Sequence, residues 1–590
     1  MPAFLLAIGV LSLFAAGFLI YSRYLSTAVF RLDDAYVTPA HRYRDGIDYV
    51  PTNKHVLFGH HFTSVAGAAP IIGPAIAVFW GWLPALIWVV VGTIVAAGVH
   101  DFGSLVLSVR HRARSIGTIT KDVISPRAGT LFLLIVFFLI TMVCAVFAVV
   151  IANLFLANPG SVIPIFGEIP IAMLIGAYIW RTRTPALIPS LLGVAALYLL
   201  IIVGHQYPVD LSPVAEAVGM QPRTAWILII LAYTFIASRL PIWLLMQPRD
   251  YINSHQLFIA LAVVLLGVGV GWDRIVAPAI NNVPDDSPSM WPFLFITIAC
   301  GAISGFHCLV SSGTSSKQLD RETDARMVGY GGALGEGSLA LCSILAVTAG
   351  IAGSRGEWEA SYGSFTEAGA GAVGNFVSGI GHFAANLGLP EHYALIFGAV
   401  VVISFAATSL DTGVRLQRYV IQEISRQVGF KPLSNNLTLA GVLTVVLAAA
   451  LALAPGGGDK GFALGVLWQL FGTTNQLLAG LALATLAVWL VKRNTNPWAI
   501  LTPMVFLVAM TSWALVVNIQ KYWEAAREQG AEATLWVLPP LAVVIFALAV
   551  WTMIEAASAL GKAWGNRGSS PRTSDTEEPN VTLDSSRVRD

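Results

Sequence analysis

Nine ionisable side chains stand inside stretches of this sequence that are otherwise apolar enough to cross a bilayer: His60, His61, His100, Asp101, Glu168, Arg239, His307, Glu336 and Asp411. A charged group at membrane depth is costly to hold, so each is a candidate for handling a proton or ion, or for binding a charged solute. Histidines and carboxylates suit the first task, because burial and neighbouring charge tune their hold on a proton. Asp101 and Glu336 lead among the acids, since each lies in the span that follows an interrupted one. Against that stands the plainer reading of a buried acid that fixes helix packing by hydrogen bonding. Asp411 comes just before Arg415 and Arg418, where a helix-end salt bridge accounts for it without any function. Arg239 is the one basic residue that falls in no loop. It precedes Pro241 and either meets a substrate carboxylate or snorkels to the headgroups. The expected proton or ion groups are therefore His60, His61, Asp101, Glu336 and Asp411.

The elements that position these groups are unusual. Two apolar stretches, 60–82 and 291–319, carry glycine, proline and small polar residues at their middles. The first holds Gly67, Ala68, Pro70, Gly73 and Pro74; the second holds Gly301, Ser304, Gly305, His307, Ser311, Ser312 and Gly313. Irregular backbone survives at membrane depth only where protein or a water-filled cavity satisfies its amides and carbonyls, so paired broken helices point to a solute pathway. Gly67, Ala68, Pro70, Ser304, Gly305, His307, Ser311 and Ser312 are the expected solute contacts, with Arg239, Asn475 and Gln476. Close helix packing through small residues is the competing account, and it is the better one for the glycines of 329–337, which no strand precedes. Asn475 and Gln476, with Gln469, Thr473 and Thr474, either line a polar cavity or bond helix to helix. His55, His60 and His61 match no zinc spacing, no HExxH motif occurs, and the four cysteines lie in apolar segments without CxxC spacing. Neither a metal nor a cofactor is expected.

With 56% hydrophobic and 11% charged residues in 590, and a mean hydropathy of +0.72, the chain is far from the roughly 25% charge of soluble domains. It reads as an all-α polytopic membrane protein with lipid around it and no nucleic-acid partner; the net charge of +1 is uninformative. Hydropathy places about fifteen spans, near 2–22, 62–82, 84–108, 130–157, 163–180, 186–204, 224–245, 256–274, 291–315, 330–353, 393–412, 436–455, 464–490, 499–518 and 534–557. The first is read as a retained helix in preference to a cleaved signal peptide. With the N-terminus outside, 27 of the 34 Lys and Arg fall in inside loops or the tail, and only Arg223, Arg274, Arg355, Lys460, Lys521 and Arg527 fall outside. Adding or removing one span would invert every later loop, so this bias supports an outside N-terminus and a cytoplasmic C-terminus. It also runs 62–82 and 291–315 in opposite directions, as an inverted repeat requires, with the Pro241 span as a rival mate for the first. The expected organisation is an N-terminal helix and linker (1–45), a transporter core (46–490), an outside re-entrant or amphipathic segment (353–390), peripheral helices (491–560) and a disordered tail (561–590).

Several runs carry a family resemblance: 48–62 (DYVPTNKHVLFGHHF), 244–254 (LLMQPRDYINS), 300–319 (CGAISGFHCLVSSGTSSKQL), 329–332 (GYGG), 408–417 (TSLDTGVRLQ) and 467–477 (LWQLFGTTNQL). Together they resemble the carbon starvation protein A family over about residues 45–490. That resemblance implies an inner-membrane transporter of peptides, or of pyruvate in some members, with proton coupling in similar pyruvate carriers. It further implies the inverted five-helix repeat of amino acid, polyamine and organocation transporters, the leucine-transporter-like type. It carries over no residue-level site, and Arg239 departs from the apolar residue expected before Leu240, Pro241, Ile242 and Trp243. The expected function is secondary active import of small peptides, proton-coupled, by alternating access. A pyruvate or other small-carboxylate symporter is the alternative. A membrane-embedded enzyme or sensor subunit would need a catalytic constellation or output domain, and the sequence offers neither; a channel would carry only downhill flux.

Overall fold

The computed structural model describes residues 1–46, 48–285, 287–454, 467–528 and 535–566. The tail expected to be disordered lies almost wholly outside the described residues, as do Lys460 and the start of the 464–490 span. Among the described residues the fold is helical throughout, with two isolated backbone bridges, Pro2 to Arg274 and Thr52 to Leu319, and no strand.

Among the described residues, eleven helices are long and apolar enough to cross a membrane, and the pair Lys54–Val65 and Ala69–Trp80 makes a twelfth if the two bent halves form one span. The fifteen expected spans are thus not all full-length helices. Pro222–Ala237 and Leu437–Ala452 have 16 residues each, roughly 24 Å at 1.5 Å per residue against about 30 Å of hydrocarbon. The segment expected at 291–315 is split into two eight-residue helices, Met290–Thr297 and Phe306–Gly313.

Burial sorts the helices into a centre and a rim. The apolar window of Leu467–Lys492 is 100% buried, whereas those of Ala3–Val29 and Leu538–Gly565 are 28% buried and face outward. Pro126–Ala157, Glu322–Ala349 and Glu391–Gln427 complete the centre. Pro126–Ala157 shows how local sequence sets such an element: Ser125 caps it by accepting from Ala128 N at 3.1 Å, and Pro126 occupies the first position, where no amide is needed. The 353–390 stretch forms Arg355–Ser361 and the 22-residue Phe365–Asn386. The latter buries Ala368, Ala372, Phe376, Ile380 and Phe383 on one face.

The two interruptions have distinct causes. In the first segment, Asn53 caps Lys54–Val65 through His55 N (3.0 Å), and the chain unwinds over 66–68 before restarting with Pro70 in its first turn, bent by 51°. Gly67 is required there by close approach: a Cβ would stand 2.6 Å from Ser409 Oγ and 2.8 Å from the Phe147 ring. In the second, residues 298–305 are non-helical and Gly301 has φ +90°, a left-handed conformation that a side chain disfavours.

The segments lie side by side and antiparallel. Ascending the first while descending the second, Thr52 N donates to Gln318 O (3.0 Å) and His61 Nδ1 meets Ser315 Oγ (2.8 Å). Further along, Gly301 packs on Pro70, Gly73 on the Thr297 carbonyl, and Trp80 Nε1 donates to Pro288 O (3.0 Å). The two breaks therefore face each other.

Candidate functional site

Around the second break, four titratable side chains from three helices meet in a buried centre. His307, in the first turn of Phe306–Gly313, has Nδ1 2.7 Å from Asp101 Oδ2. The other Asp101 oxygen lies 2.7 Å from His100 Nδ1, both residues belonging to Gly98–Arg110. On its far side His307 Nε2 stands 3.3 Å from Glu336 Oε1, on Gly331–Ala349. All four are buried. A carboxylate that accepts from two imidazoles fixes their tautomers, so Asp101 leaves the Nε2 of His307 turned to Glu336. Asp101 and Glu336, more than two hundred residues apart, thus share one histidine.

Asn475 supplies the backbone of this break. Its Oδ1 accepts from Phe306 N (2.9 Å), its main-chain carbonyl accepts from Gly305 N (3.0 Å), and its Nδ2 reaches Ser304 Oγ (2.9 Å) and Cys300 Sγ (3.4 Å). Thr93 Oγ1 donates to Gly301 O at 2.9 Å. Amides freed by unwinding are thereby satisfied by protein, as the low-dielectric interior demands. Gln476 donates to Phe295 O (2.8 Å), so the polar run 473–476 bonds helix to helix. Ser312 receives Ile116 N (3.2 Å), while Ser311 Oγ, though buried, has no partner among the described residues.

A second buried centre lies along Met246–Gly271. Arg249 Nη1 is 2.5 Å from Asp411 Oδ2 and 2.5 Å from Tyr233 OH, and Tyr233 donates to the same Asp411 oxygen at 3.1 Å. Its neighbour Asp250 holds His60 Nδ1 at 2.7 Å. Glu168 lines a small cavity with Tyr233, Arg249, Asn253 and Ser404, of about 30 Å³, room for a single water. His60 and His61 connect the centres: His60 pairs with Asp250, and His61 is within electrostatic range of Asp101 and His307. Both Nε2 atoms are buried and unpartnered among the described residues.

Of the expected solute contacts, Gly67, Ala68 and Pro70 are buried at the first break and Ser304, Gly305, His307, Ser311 and Ser312 at the second. Arg239 is not among them. It is exposed beyond the end of Pro222–Ala237, with its guanidinium over the Phe235 ring at 5.7 Å. Asp411 departs from the helix-end reading, because its partner is Arg249, while Arg415 and Arg418 bond to the carbonyls of Leu240 and Ser238. Arg249 and Asp250 are the buried charged residues that hydropathy misses: the polar run 247–250 looks like a cytoplasmic loop, yet it begins a 26-residue helix and is largely buried there. The long run LLMQPRDYINS was the available signal. Cys300, Asn475, His307 and Glu336 bring a thiol, an amide, an imidazole and a carboxylate together, and three of these could ligate a metal.

Antiparallel broken helices wrapped around buried charge, within eleven or more membrane-length helices, define a multi-pass integral membrane protein. The chain belongs to the family described as carbon starvation protein CstA, which it matches over residues 2–357 and 357–514. It is 34% identical to the "Peptide transporter CstA" of Mycobacterium tuberculosis (strain ATCC 25618 / H37Rv), covering 88% of this chain and 75% of that one. It is 31% identical to the "Peptide transporter CstA" of Escherichia coli (strain K12), covering 87% and 79%. The "Pyruvate/proton symporter BtsT" of the same organism is 30% identical, covering 86% and 80%. Among solved structures, the manganese transporter of Eremococcus coleocola is similar at a TM-score of 0.46 and 13% identity, covering 88% of this chain and 99% of that one, too loose a likeness to fix the fold type.

Proposed function

We propose that this chain is a secondary active transporter that imports small peptides by alternating access, with inward proton movement as the driving reaction. The observation that carries this reading is the meeting of two antiparallel breaks beside two buried His–carboxylate centres. Each His–carboxylate pair can hold one proton as a neutral unit, and its loss leaves an uncompensated charge in a buried pocket, so protonation and conformation are bound to be linked. Relatives named as peptide transporters and as a pyruvate/proton symporter agree with a solute carrier and with no enzymatic activity.

Both solute classes contain a carboxylate, and Arg249 is a buried guanidinium in the His60–Asp250 centre that could meet one once Asp411 releases it. A peptide's ammonium group adds a need for acceptors, which Glu168, Asp250 and Asp411 supply from the same centre. That surplus of acids over bases favours the zwitterion over pyruvate. The antiparallel breaks support an inverted repeat of the leucine-transporter-like type. About fifteen crossings would follow if the two 16-residue helices and the second broken segment also traverse the membrane. The charge bias supports an outside N-terminus and a cytoplasmic C-terminus in the inner membrane.

Uptake by proteoliposomes tests the reading. Labelled dipeptide should accumulate above equilibrium under an imposed inward proton gradient and equilibrate without one. Purely downhill flux would leave a channel. Accumulation of pyruvate alone would move the substrate to small carboxylates.

A further inference from the structure

We propose that Cys300, His307 and Glu336 form a binding site for one thiophilic divalent cation of the Zn²⁺ class. Their ligating atoms, a sulfur, a nitrogen and a carboxylate oxygen, all lie within 4.8 Å of one another, and all three residues are buried. They come from three places in the chain: Cys300 from the unwound stretch 298–305, His307 from the half-helix after it, and Glu336 from the next long helix.

The pair His307 and Glu336, with Cys300 beside it, has the geometry of a metal site. Nε2 and Oε1 are 3.3 Å apart, off the axis of a regular hydrogen bond, and the Glu336 carboxylate otherwise faces the Gly301 backbone. A buried imidazole nitrogen and a carboxylate oxygen facing each other hold positive charge between them, a proton or a cation, and the Cys300 sulfur within 4.8 Å of both adds the third, soft donor that a proton does not need and a metal ion does. With metal–ligand distances of about 2.05 Å, typical of Zn–N and Zn–O, that 3.3 Å separation subtends about 107° at the ion, close to the tetrahedral angle.

The surrounding shell fits the same chemistry. Asp101 accepts from His307 Nδ1 at 2.7 Å, the carboxylate–histidine arrangement that orients an imidazole and raises its basicity toward a metal. Asn475 Nδ2 lies 3.4 Å from Cys300 Sγ and can donate to a thiolate there. On binding, the Cys300 S–H bond breaks, a sulfur–metal bond forms, and the proton leaves to water. Three protein ligands leave the fourth tetrahedral position for water or solute. The mixed sulfur, nitrogen and oxygen set favours Zn²⁺ or Co²⁺ over Mg²⁺ or Ca²⁺, which take oxygen ligands. Unlike the transport reading, this site needs no solute and no gradient, although it shares His307 and Glu336 with the proposed proton position.

The test uses the full-length protein, purified in detergent, stripped with a chelator and titrated with Co²⁺. A sulfur-to-cobalt charge-transfer band should rise to saturation at one ion per chain, and equilibrium dialysis should then retain one Zn²⁺. Cys300→Ser should abolish the band, while Cys308→Ser, whose buried thiol bonds to Gly305 O at 3.0 Å, should keep it. Asp101→Asn, which leaves all three ligands in place, should weaken binding by about 10–100-fold. Each variant is checked for a monodisperse elution profile, and Cys300→Ala serves if Cys300→Ser fails it. No saturable band in the parent protein, or a band that survives loss of Cys300, overturns the site.

Discussion

The Arg249–Asp411 pair permits a prediction that separates structural from functional charge. Arg249 and Asp411 side chains are 3% and 0% exposed and 2.5 Å apart. Taking an effective dielectric of about 20 and about 4 Å between charge centres, their attraction is about 4 kcal/mol. Breaking one member of a buried pair costs about 3–5 kcal/mol, because the other is left charged in a dry site. Arg249→Met should therefore lower the folded-to-unfolded ratio by roughly a thousandfold, since each 1.4 kcal/mol is about tenfold. Adding Asp411→Leu removes the orphaned carboxylate, and the double variant should recover most of that loss. Recovery stops short of complete because Tyr233 then loses Asp411 as acceptor and Glu168 stays in the same cavity. Equilibrium unfolding in mixed micelles measures all four members of the cycle, and proteoliposome uptake measures whether the repaired protein works. Stability should return and uptake should not. Additive destabilisation, with the double variant worse than either single one, would refute the claim that these two charges compensate each other. Restored uptake would instead show that the pair is only structural.

Other outcomes follow from the same geometry. Asp101→Asn and Glu336→Gln should each abolish accumulation against a gradient while solute exchange persists; if both retain gradient-driven uptake, the proton assignment to the His307 centre is wrong. Gly67→Ala places a methyl 2.6 Å from Ser409 Oγ and should cost about 1–3 kcal/mol by overpacking, with partial rescue by Ser409→Gly, read as thermal midpoint and uptake rate. Gly374→Ala, in open space within Phe365–Asn386, should be stabilising by about 0.5–1 kcal/mol in the same unfolding assay. Asn475→Ala orphans the amide of Phe306 and should cost about 1–3 kcal/mol for each buried group left unpaired, measured by unfolding. Arg239→Ala should leave uptake unchanged and stability within about 0.5 kcal/mol, since the side chain is exposed and rests over the Phe235 ring.

How far the site was legible from the chain varies residue by residue. His307, Asp101 and Glu336 could be named from their cost in an apolar setting, and so could the glycines at 67, 301 and 305. Their mutual arrangement could not: Asp101 and Glu336 appeared as separate candidates on two helices, and nothing in their spacing placed one histidine between them. Asp411 invited a local salt bridge with Arg415 or Arg418 because both are near in sequence, yet its partner came from another helix. Arg239 drew attention for the reason that hid Arg249. Hydropathy averages over a window, so an arginine in an apolar window stands out and one in a polar run looks solvated, although helix packing buried the second and left the first exposed.

Local properties of the chain were enough for membrane residence, the helical class, the two interruptions and their opposed directions, because hydropathy, helix-breaking residues and the distribution of basic loops act over tens of residues. Which buried charges neutralise each other was decided only by packing. His307 meets Asp101 across 206 positions and His60 meets Asp250 across 190. In a dry interior a charge takes whatever partner the neighbouring helix presents, and no spacing along the chain encodes that choice.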